Sequence, residues 1–521
     1  MARSGIISSK SGWDGASYAI NALRAFIPMH ASADLDLARS RETIALRARN
    51  LFQNHSFSRA LVNSFDVNVV GSGVRVMPVL KNYDRLGLTL AQAEDWAKDV
   101  RILYETWCNS LKCDCERAND MYGLQDLAIK TQLAGGECFA LTKYFSKREP
   151  FGLCIKLLEG ERGANPLGVF DGEEILRGVS ISEGVEFDVN GCPVAYNFTK
   201  NVPYSFDSSS YLNFETVRVP AYDKNDNPNV IHLYVNDRPD QHRGISMLAP
   251  IILDMKQADR VKDAHLMKAL INAMLTAFIE NSSDEAPDAF AGDIPEAERT
   301  TPMDENGNVP GTNDAAPCEM GSGNIIELGK GQTIKGIESA KPGDGYRDFS
   351  ESIFAEAAAA CGVSYEVVLH KFNSSYNAVR AAILESKKSF DKMRRGFISK
   401  FCRPIYEKWL ENMVMTGVIA APGFDDPLKR SLWCDCNWVA DSAFLLDPQK
   451  ETAAIKMQLD EQLTDRDSAC AALYGVNYAE TARKLADQKK LRAEIGLQEP
   501  GAINKTESFS VSTDDVEQSD L

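Results

Sequence analysis

Cysteines, histidines, paired acids and glycine turns are the residues here whose spacing could do chemistry. Cys113-Asp114-Cys115, with Cys108 close by, and Cys434-Asp435-Cys436 each set two thiols around an aspartate. A structural metal site asks for a second such pair or two histidines at ligand spacing, and neither accompanies them. They read as ordinary packed or surface thiols. Six histidines (30, 55, 232, 242, 265 and 370) are scattered along the chain. His232 sits in an apolar run and His265 in a helical one, so packing or capping is the expected role of both. No H-E-x-x-H pair or G-x-S-x-G elbow occurs, and Gly329-Lys330-Gly331 with Gly336 lacks the order that sets backbone amides and a lysine on phosphates. Glu173-Glu174 and Asp425-Asp426 have no third ligand. Neither an enzyme site nor a cofactor nor a metal is expected.

Charge gives a second kind of candidate. From Arg380 to Arg403 eight bases (Arg380, Lys387, Lys388, Lys392, Arg394, Arg395, Lys400, Arg403) face two acids (Glu385, Asp391), in a chain of net charge -17. A solvated helix face is the plain reading and a polyanion contact the sharper one. Two helices must position this region. Tyr346 to Cys361 carries Phe349, Ile353, Phe354 and an alanine run at helical spacing, closed by Gly362. From about Asn377, Val379, Ile383, Phe390, Met393, Phe397 and Phe401 form a single apolar stripe. Between them VSYEVVLHKFNSSYN ends too rich in Ser and Asn to continue either helix.

At 521 residues the chain exceeds one compact core, and 44% hydrophobic content is ample for a large one. A pI near 5.0 argues against coating nucleic acid through the whole surface, though not against a channel whose walls let a polyanion slide. Met1 to Lys10 has no apolar signal region, and the longest apolar run, Ala269 to Ile279, is too short to span a bilayer. A soluble protein of cytosolic origin, without membrane partners and with twelve reduced cysteines, is expected.

Residues 1 to 45 read as an arm. Helices are predicted over Arg41 to Val67, 92 to 111 and Gly123 to Leu133, and VNVVGSGVRVMPV as strand, glycine turn, strand. ECFALTKYF, LCIKLLEG, ILRGVSIS, GVEFDVNGCPVAYNFTK and VIHLYV read as strands, with Asn190-Gly191 a hairpin signal. Ser246 to Glu280, free of glycine, reads as one long helix. Residues 281 to 320, with ten acids, one base and five prolines, read as an irregular excursion. GNIIELGKGQTIKGI predicts two strands around Gly329 to Gly331. Trp433 to Val439 reads as a strand, Asp447 to Leu459 and Tyr478 to Glu494 as helices, and the last 25 residues as an acidic tail.

Several stretches, in order, resemble the portal proteins of tailed phages, specifically the lambda-type family. They are Arg47 to Leu51, Asn68 to Arg75, Gly184 to Asp188 with Gly191 to Tyr196, Val230 to Leu233, Arg238 to Gln241 with Arg243-Gly244, Leu248 to Pro250, Cys361 to Glu366 and Phe401 to Pro404. Asp240 stands where that family usually has Gly, and Ser374-Ser375-Tyr376-Asn377 where an Asn-Tyr-Ser-Ser order is commoner. The resemblance implies an α+β, portal-like fold: a mixed α/β wing over 1–245, a stem helix over 246–280, a small clip with an acidic loop over 281–345, a second stem helix over 346–363 and a tunnel loop over 364–378. A long helix and wing return over 379–445, a helical C-terminal crown over 446–496 and a disordered acidic tail over 497–521 complete it.

It also implies a homo-oligomeric ring, expected as a dodecamer, at one capsid vertex. Double-stranded DNA passes through such a ring during packaging and ejection. The implied neighbours are the terminase large subunit, the major capsid protein and scaffold, and the head-tail connector proteins, in a virion assembled in the host cytoplasm. The DNA-channel loop residues would be Lys371, Asn373, Ser374, Ser375, Tyr376, Asn377 and Arg380, while the charge after Lys387 would lie along the wing, for subunit contacts as much as for DNA. A DNA-packaging enzyme (terminase or nuclease) and a capsid- or scaffold-associated structural protein are the competing readings.

Overall fold

Runs of apolar residues at helical spacing open the chain and wrap the first core. The structure, a computed structural model, describes residues 13–18, 20–28, 30–200, 215–274, 278–281, 332–335, 346–372, 375–440, 448–474 and 478–496. The expectations for the first twelve residues, the acidic excursion and the acidic tail lie outside these. Helix α1 (Ala33–Ala38) is capped by Ser32, whose hydroxyl accepts from the Leu35 N–H at 3.3 Å.

The single helix expected from Arg41 to Val67 is two, α2 (Arg41–Asn54) and α3 (Ser56–Val69). His55 goes extended between them, and its Nδ1 accepts from the Ser58 N–H at 3.2 Å, which starts the second helix. VNVVGSGVRVMPV is not strand, turn, strand: Val67 to Val69 complete α3, because Phe65 and Val69 bury on its inner face, and only β1 (Arg75–Pro78) is extended. Helix α4 (Leu90–Cys108) begins with a Thr89–Gln92 capping box, and α5 (Met121–Gly135) with Asp120 accepting from the Gly123 N–H at 2.8 Å.

Then the period changes from helical to two. Strands β2 (Glu137–Tyr144) and β3 (Leu153–Glu159) pair antiparallel. ILRGVSIS folds as a hairpin, β4 (Glu174–Leu176) and β5 (Val179–Ser182), followed by β6 (Val185–Asp188) and β7 (Pro193–Thr199), which turn through Asn190-Gly191 as expected. The Asp188 carboxylate accepts from the Asn190 and Cys192 N–H groups and fixes that turn. An unforeseen strand, β8 (Thr216–Pro220), closes a five-stranded antiparallel sheet of order β4-β5-β6-β7-β8, and β9 (Val230–Tyr234) adds to β2 in a three-stranded sheet of order β3-β2-β9. Phe139, Val185, Tyr196 and Phe198 form a small core on the sheets.

The long helix α6 (Ile252–Met274) starts later than expected, after a 3-10 turn at Ala249–Ile251 that takes Pro250. It also ends earlier, since Phe278 to Glu280 belong to β10 (Phe278–Asn281), antiparallel to β11 (Gln332–Lys335). Thus Gln332 to Lys335 pair with the end of the former helix region, and the strand expected before Gly329 lies outside the described residues.

Helices α7 (Tyr346–Ala360), α8 (Tyr365–Leu369) and α9 (Tyr376–Phe397) follow, and α9 continues through a π-helical turn at Ile398–Cys402 into α10 (Arg403–Met415). From Tyr376 to Met415 this rod is roughly 60 Å long at about 1.5 Å per residue. Helix α11 (Pro427–Trp433) and β12 (Cys436–Val439), antiparallel to β1, return to the body, and α12 (Pro448–Asp460), α13 (Arg466–Tyr474) and α14 (Tyr478–Ile495) end it. Tyr104, Trp107, Tyr406 and Trp409 pack together at the centre of the main core, with the Tyr104 and Trp409 rings edge-to-face at 4.9 Å. No helix among the described residues is long and apolar enough to cross a membrane.

Candidate functional site

The turn between α7 and α8 is held by two serines of α9. Gly362 turns the chain at the end of α7 with φ +78°, a left-handed conformation that glycine adopts without strain. Ser389 donates to the Gly362 carbonyl at 2.6 Å, and the buried Ser386 hydroxyl accepts from the Ser364 N–H at 3.0 Å. Phe354 stacks on Phe57 at 4.6 Å and Phe390 meets Phe65 edge-on at 5.1 Å, so both flanking helices are anchored on α3. Helix α8 ends at His370, itself left-handed with φ 52°. The described chain thus leaves a braced corner at His370 to Phe372 and resumes at Ser375.

Of the expected loop residues, Lys371 is already engaged. Its ammonium pairs with Glu351 of α7, which also holds Arg347 at 3.0 Å. Lys371, and after it Arg347, keep the Glu351 carboxyl below its usual range. Ser375 occupies the N-cap position of α9 in extended conformation without a side-chain cap bond. Tyr376 and Asn377 sit exposed on the first turn, and Lys450 of α12 lies over the Tyr376 ring at 5.8 Å. Arg380 is half-buried and makes no ion pair among the described residues. Asn373 and Ser374 lie outside them.

The rest of the basic run is mostly consumed within the chain. Lys387 pairs with Asp391 at 2.6 Å, Lys388 with Glu385 at 2.6 Å, and Arg403 with Glu407 at 3.9 Å. Arg394 donates to the carbonyls of Asn68 and Val69, the latter at 2.9 Å, and so closes the end of α3. Lys400 donates to the Tyr234 carbonyl at 2.7 Å and ties the π-turn to β9. Only Lys392 and Arg395 remain exposed without a described partner.

A second charged cluster, which no spacing signalled, lies in the body. Glu137, wholly buried at the head of β2, accepts from Arg243 Nε at 2.9 Å and Nη2 at 2.5 Å, from Arg41 Nη1 at 3.2 Å, from His232 Nε2 at 2.9 Å and from the Gly244 N–H at 2.9 Å. Burial opposes its charge, but Arg243, His232 and Arg41 hold the carboxyl well below the carboxylate range. Burial pushes His232 down to about 4, so it is neutral and donates its Nε2 hydrogen. The cluster can form only because Gly136 and Gly244 let two backbones touch: a Cβ on Gly136 would meet the Ile245 carbonyl carbon at 2.7 Å. Arg243-Gly244 stood in the sequence as an adjacent pair and was the one available signal.

The adjacent Asp237–His242 loop fastens the arm. His242 Nδ1 meets Asp34 at 2.6 Å, its Nε2 donates to the Gly191 carbonyl at 3.2 Å, and Arg238 pairs with Asp36 at 3.2 Å. Asp240, at the position where glycine is usual in the resembling family, takes φ 58°, so the backbone keeps the glycine conformation without the glycine. Elsewhere, burial pushes Cys113, Cys434 and Cys436 up to about 12, and no group of three or more metal-capable side chains converges among the described residues.

The family described as phage portal protein, lambda family, matches residues 21–394, and the chain belongs to it. Over 488 residues it is 23% identical to the portal protein of Escherichia phage N15, covering 92% of this chain and 89% of that one. The same figures hold for portal protein B of Escherichia phage lambda. Among solved structures it is similar to the neck of a native gene transfer agent particle computed with C12 symmetry (TM-score 0.40, 12% identity, 84% of this chain and 92% of that chain). It is also similar to the neck of an empty particle computed with C6 symmetry (TM-score 0.41, 14% identity, 90% and 95%).

Proposed function

We propose that the chain assembles into a homo-oligomeric ring, a dodecamer, at one capsid vertex, and that double-stranded DNA passes through the ring during packaging and ejection. Family membership across residues 21–394 carries this reading. Stem helices α6 and α7, joined by the clip, project from the wing, and the 364–378 segment is the loop facing the channel. Arg380, with Lys371 when it leaves Glu351, meets phosphates without reading bases, because the passing sequence is arbitrary. An acidic chain with few uncommitted cations suits a conduit through which DNA must slide.

The ring does no chemistry of its own and needs no cofactor. A separate terminase large subunit docks and supplies the work of packaging. The major capsid protein, scaffold and head-tail connector proteins are its other neighbours, in a particle assembled in the host cytoplasm. Negative-stain imaging of the purified protein tests the central point, with annular particles expected. A strictly monomeric protein under every assembly condition would overturn it, and ATP- or metal-dependent DNA cleavage by the isolated protein would restore the packaging-enzyme reading.

A further inference from the structure

One pair of thiols differs from every other cysteine in the described body. Cys115, half-exposed, follows the short 3-10 turn Leu111–Cys113, and Cys154 lies buried near the start of β3. Asp114 bridges to Ile155, and the Cys115 N–H donates to the Ile155 carbonyl at 2.9 Å, so the two backbones run side by side. This brings the two side chains within hydrogen-bonding reach of each other, and both are free thiols. In the parallel register set by that bridge the two cysteines stand diagonally across from one another, one residue after Asp114 and one before Ile155.

An arginine sits on this pair. Arg148 places Nη1 at 3.0 Å from the Cys154 sulfur, and the same guanidinium is fixed by the carbonyls of Lys112, Asp114 and Cys115 at 3.0, 2.7 and 3.1 Å. A cation held by three carbonyls cannot easily swing away. The S–H of Cys115, and with it Arg148, lowers the Cys154 thiol, whereas Cys115 is pushed up. Burial alone drives Cys361 and Cys402 the other way, and burial with Asp114 and Asp120 beside it does the same to Cys113.

We propose that Cys115 and Cys154 form a peroxide-sensitive dithiol that closes to an intramolecular disulfide and thereby clamps the end of the Leu111–Cys115 turn to β3. The Cys154 thiolate attacks one oxygen of hydrogen peroxide, the O–O bond breaks and hydroxide leaves, giving a sulfenic acid. The Cys115 thiol then attacks that sulfur and its proton goes out with the sulfenic oxygen as water. Two thiols and one peroxide yield one disulfide and two waters, the dithiol losing two electrons. A small neutral oxidant suits a sulfur that is buried behind Arg148. Reduction by an external dithiol reverses the step.

The test treats the full-length reduced protein with limiting hydrogen peroxide, quenches with N-ethylmaleimide and maps peptides. A cross-linked peptide holding Cys115 and Cys154, two fewer alkylated thiols and a Tm several degrees higher are expected. Cys115→Ser should leave Cys154 trapped at the sulfenic or higher oxidation state. Arg148→Gln should slow cross-linking about tenfold at neutral pH and move its pH profile upward, while Arg148→Lys restores much of the rate. A different cysteine pair cross-linking first, or Cys154 remaining fully alkylatable in wild type, would overturn the proposal. So would an Arg148→Gln rate and pH profile equal to wild type. The wild-type map decides whatever the substitutions do to folding.

Discussion

Glu137 and Glu351 have the same arithmetic, one carboxylate facing two guanidinium or ammonium groups, and they do opposite work. Glu137 is buried with Arg243 and Arg41, and its two oxygens accept from three separate segments: α2, β9 and the Arg243-Gly244 turn. Water cannot replace any of those partners. Glu351 lies at the surface with Arg347 and Lys371, where solvent screens each pair and offers an alternative to it. The buried cluster therefore fixes the body's geometry, and the exposed one holds Lys371 in a position from which it can be taken by another anion.

The comparison is broken most severely at the buried end. Glu137→Gln strands Arg243 without a counter-charge, leaves Arg41 only its pair with Glu183 at 2.6 Å, and should cost about 3–5 kcal/mol, read as a fall in the urea midpoint. Should the loss prove no larger than that of Glu351→Gln, the cluster is not what locks the body. Acid should probe the same site. The folded value of His232, about 4, lies below the unfolded one near 6.5, so the unfolded chain takes the proton first. Its contribution is present above about pH 6.5 and is withdrawn as pH falls towards 4, on the order of 3 kcal/mol in the limit.

His242 should move the other way. Burial opposes its charge, yet Asp34 and the Gly191 carbonyl raise it above the usual histidine value. Its contribution is full below about pH 6.5 and fades as pH rises through that raised value, so limited proteolysis of the arm before α1 should quicken at alkaline pH. Asp34→Asn should remove that pH dependence.

At the corner, Ser386→Ala takes the acceptor from the Ser364 N–H and should cost about 1 kcal/mol in thermal unfolding, with the loop loosened rather than the fold lost. The smallest change in stability belongs to Lys371→Ala with Arg380→Ala, which should leave unfolding and ring assembly as in wild type while lowering the yield of packaged DNA. Normal packaging by that pair of substitutions would remove DNA contact from the loop.

Local signals carried much of the fold. Gly362 after an apolar helix and Asn190-Gly191 between alternating residues each name their own structure and are found where their chemistry puts them, while the glycine-free run names a helix, α6, but neither of its ends. His55 did not, because the apolar period runs on through it and only its extended backbone breaks the helix. Strand β8 is largely solvent-facing, so it carries little of the alternation by which strands are read. The Glu137 cluster joins residues about a hundred positions apart, and no window of sequence contains both ends. For the loop, the type of residue was legible and its commitment was not: nothing near Lys371 in sequence shows that Glu351 is waiting on α7, two helices back.

The π-turn at Ile398–Cys402 also sets a rotational phase. A turn that takes one residue beyond the 3.6 repeat rotates everything after it by about 100° relative to an unbroken α-helix. One rod can therefore aim Phe390 at Phe65 on one side of the turn and Tyr406 and Trp409 at Tyr104 on the other. Removing a single residue between Ile398 and Cys402 would restore the even repeat and swing one set of anchors out of its socket. Length and angle are set together there, as in a coupling keyed between two shafts.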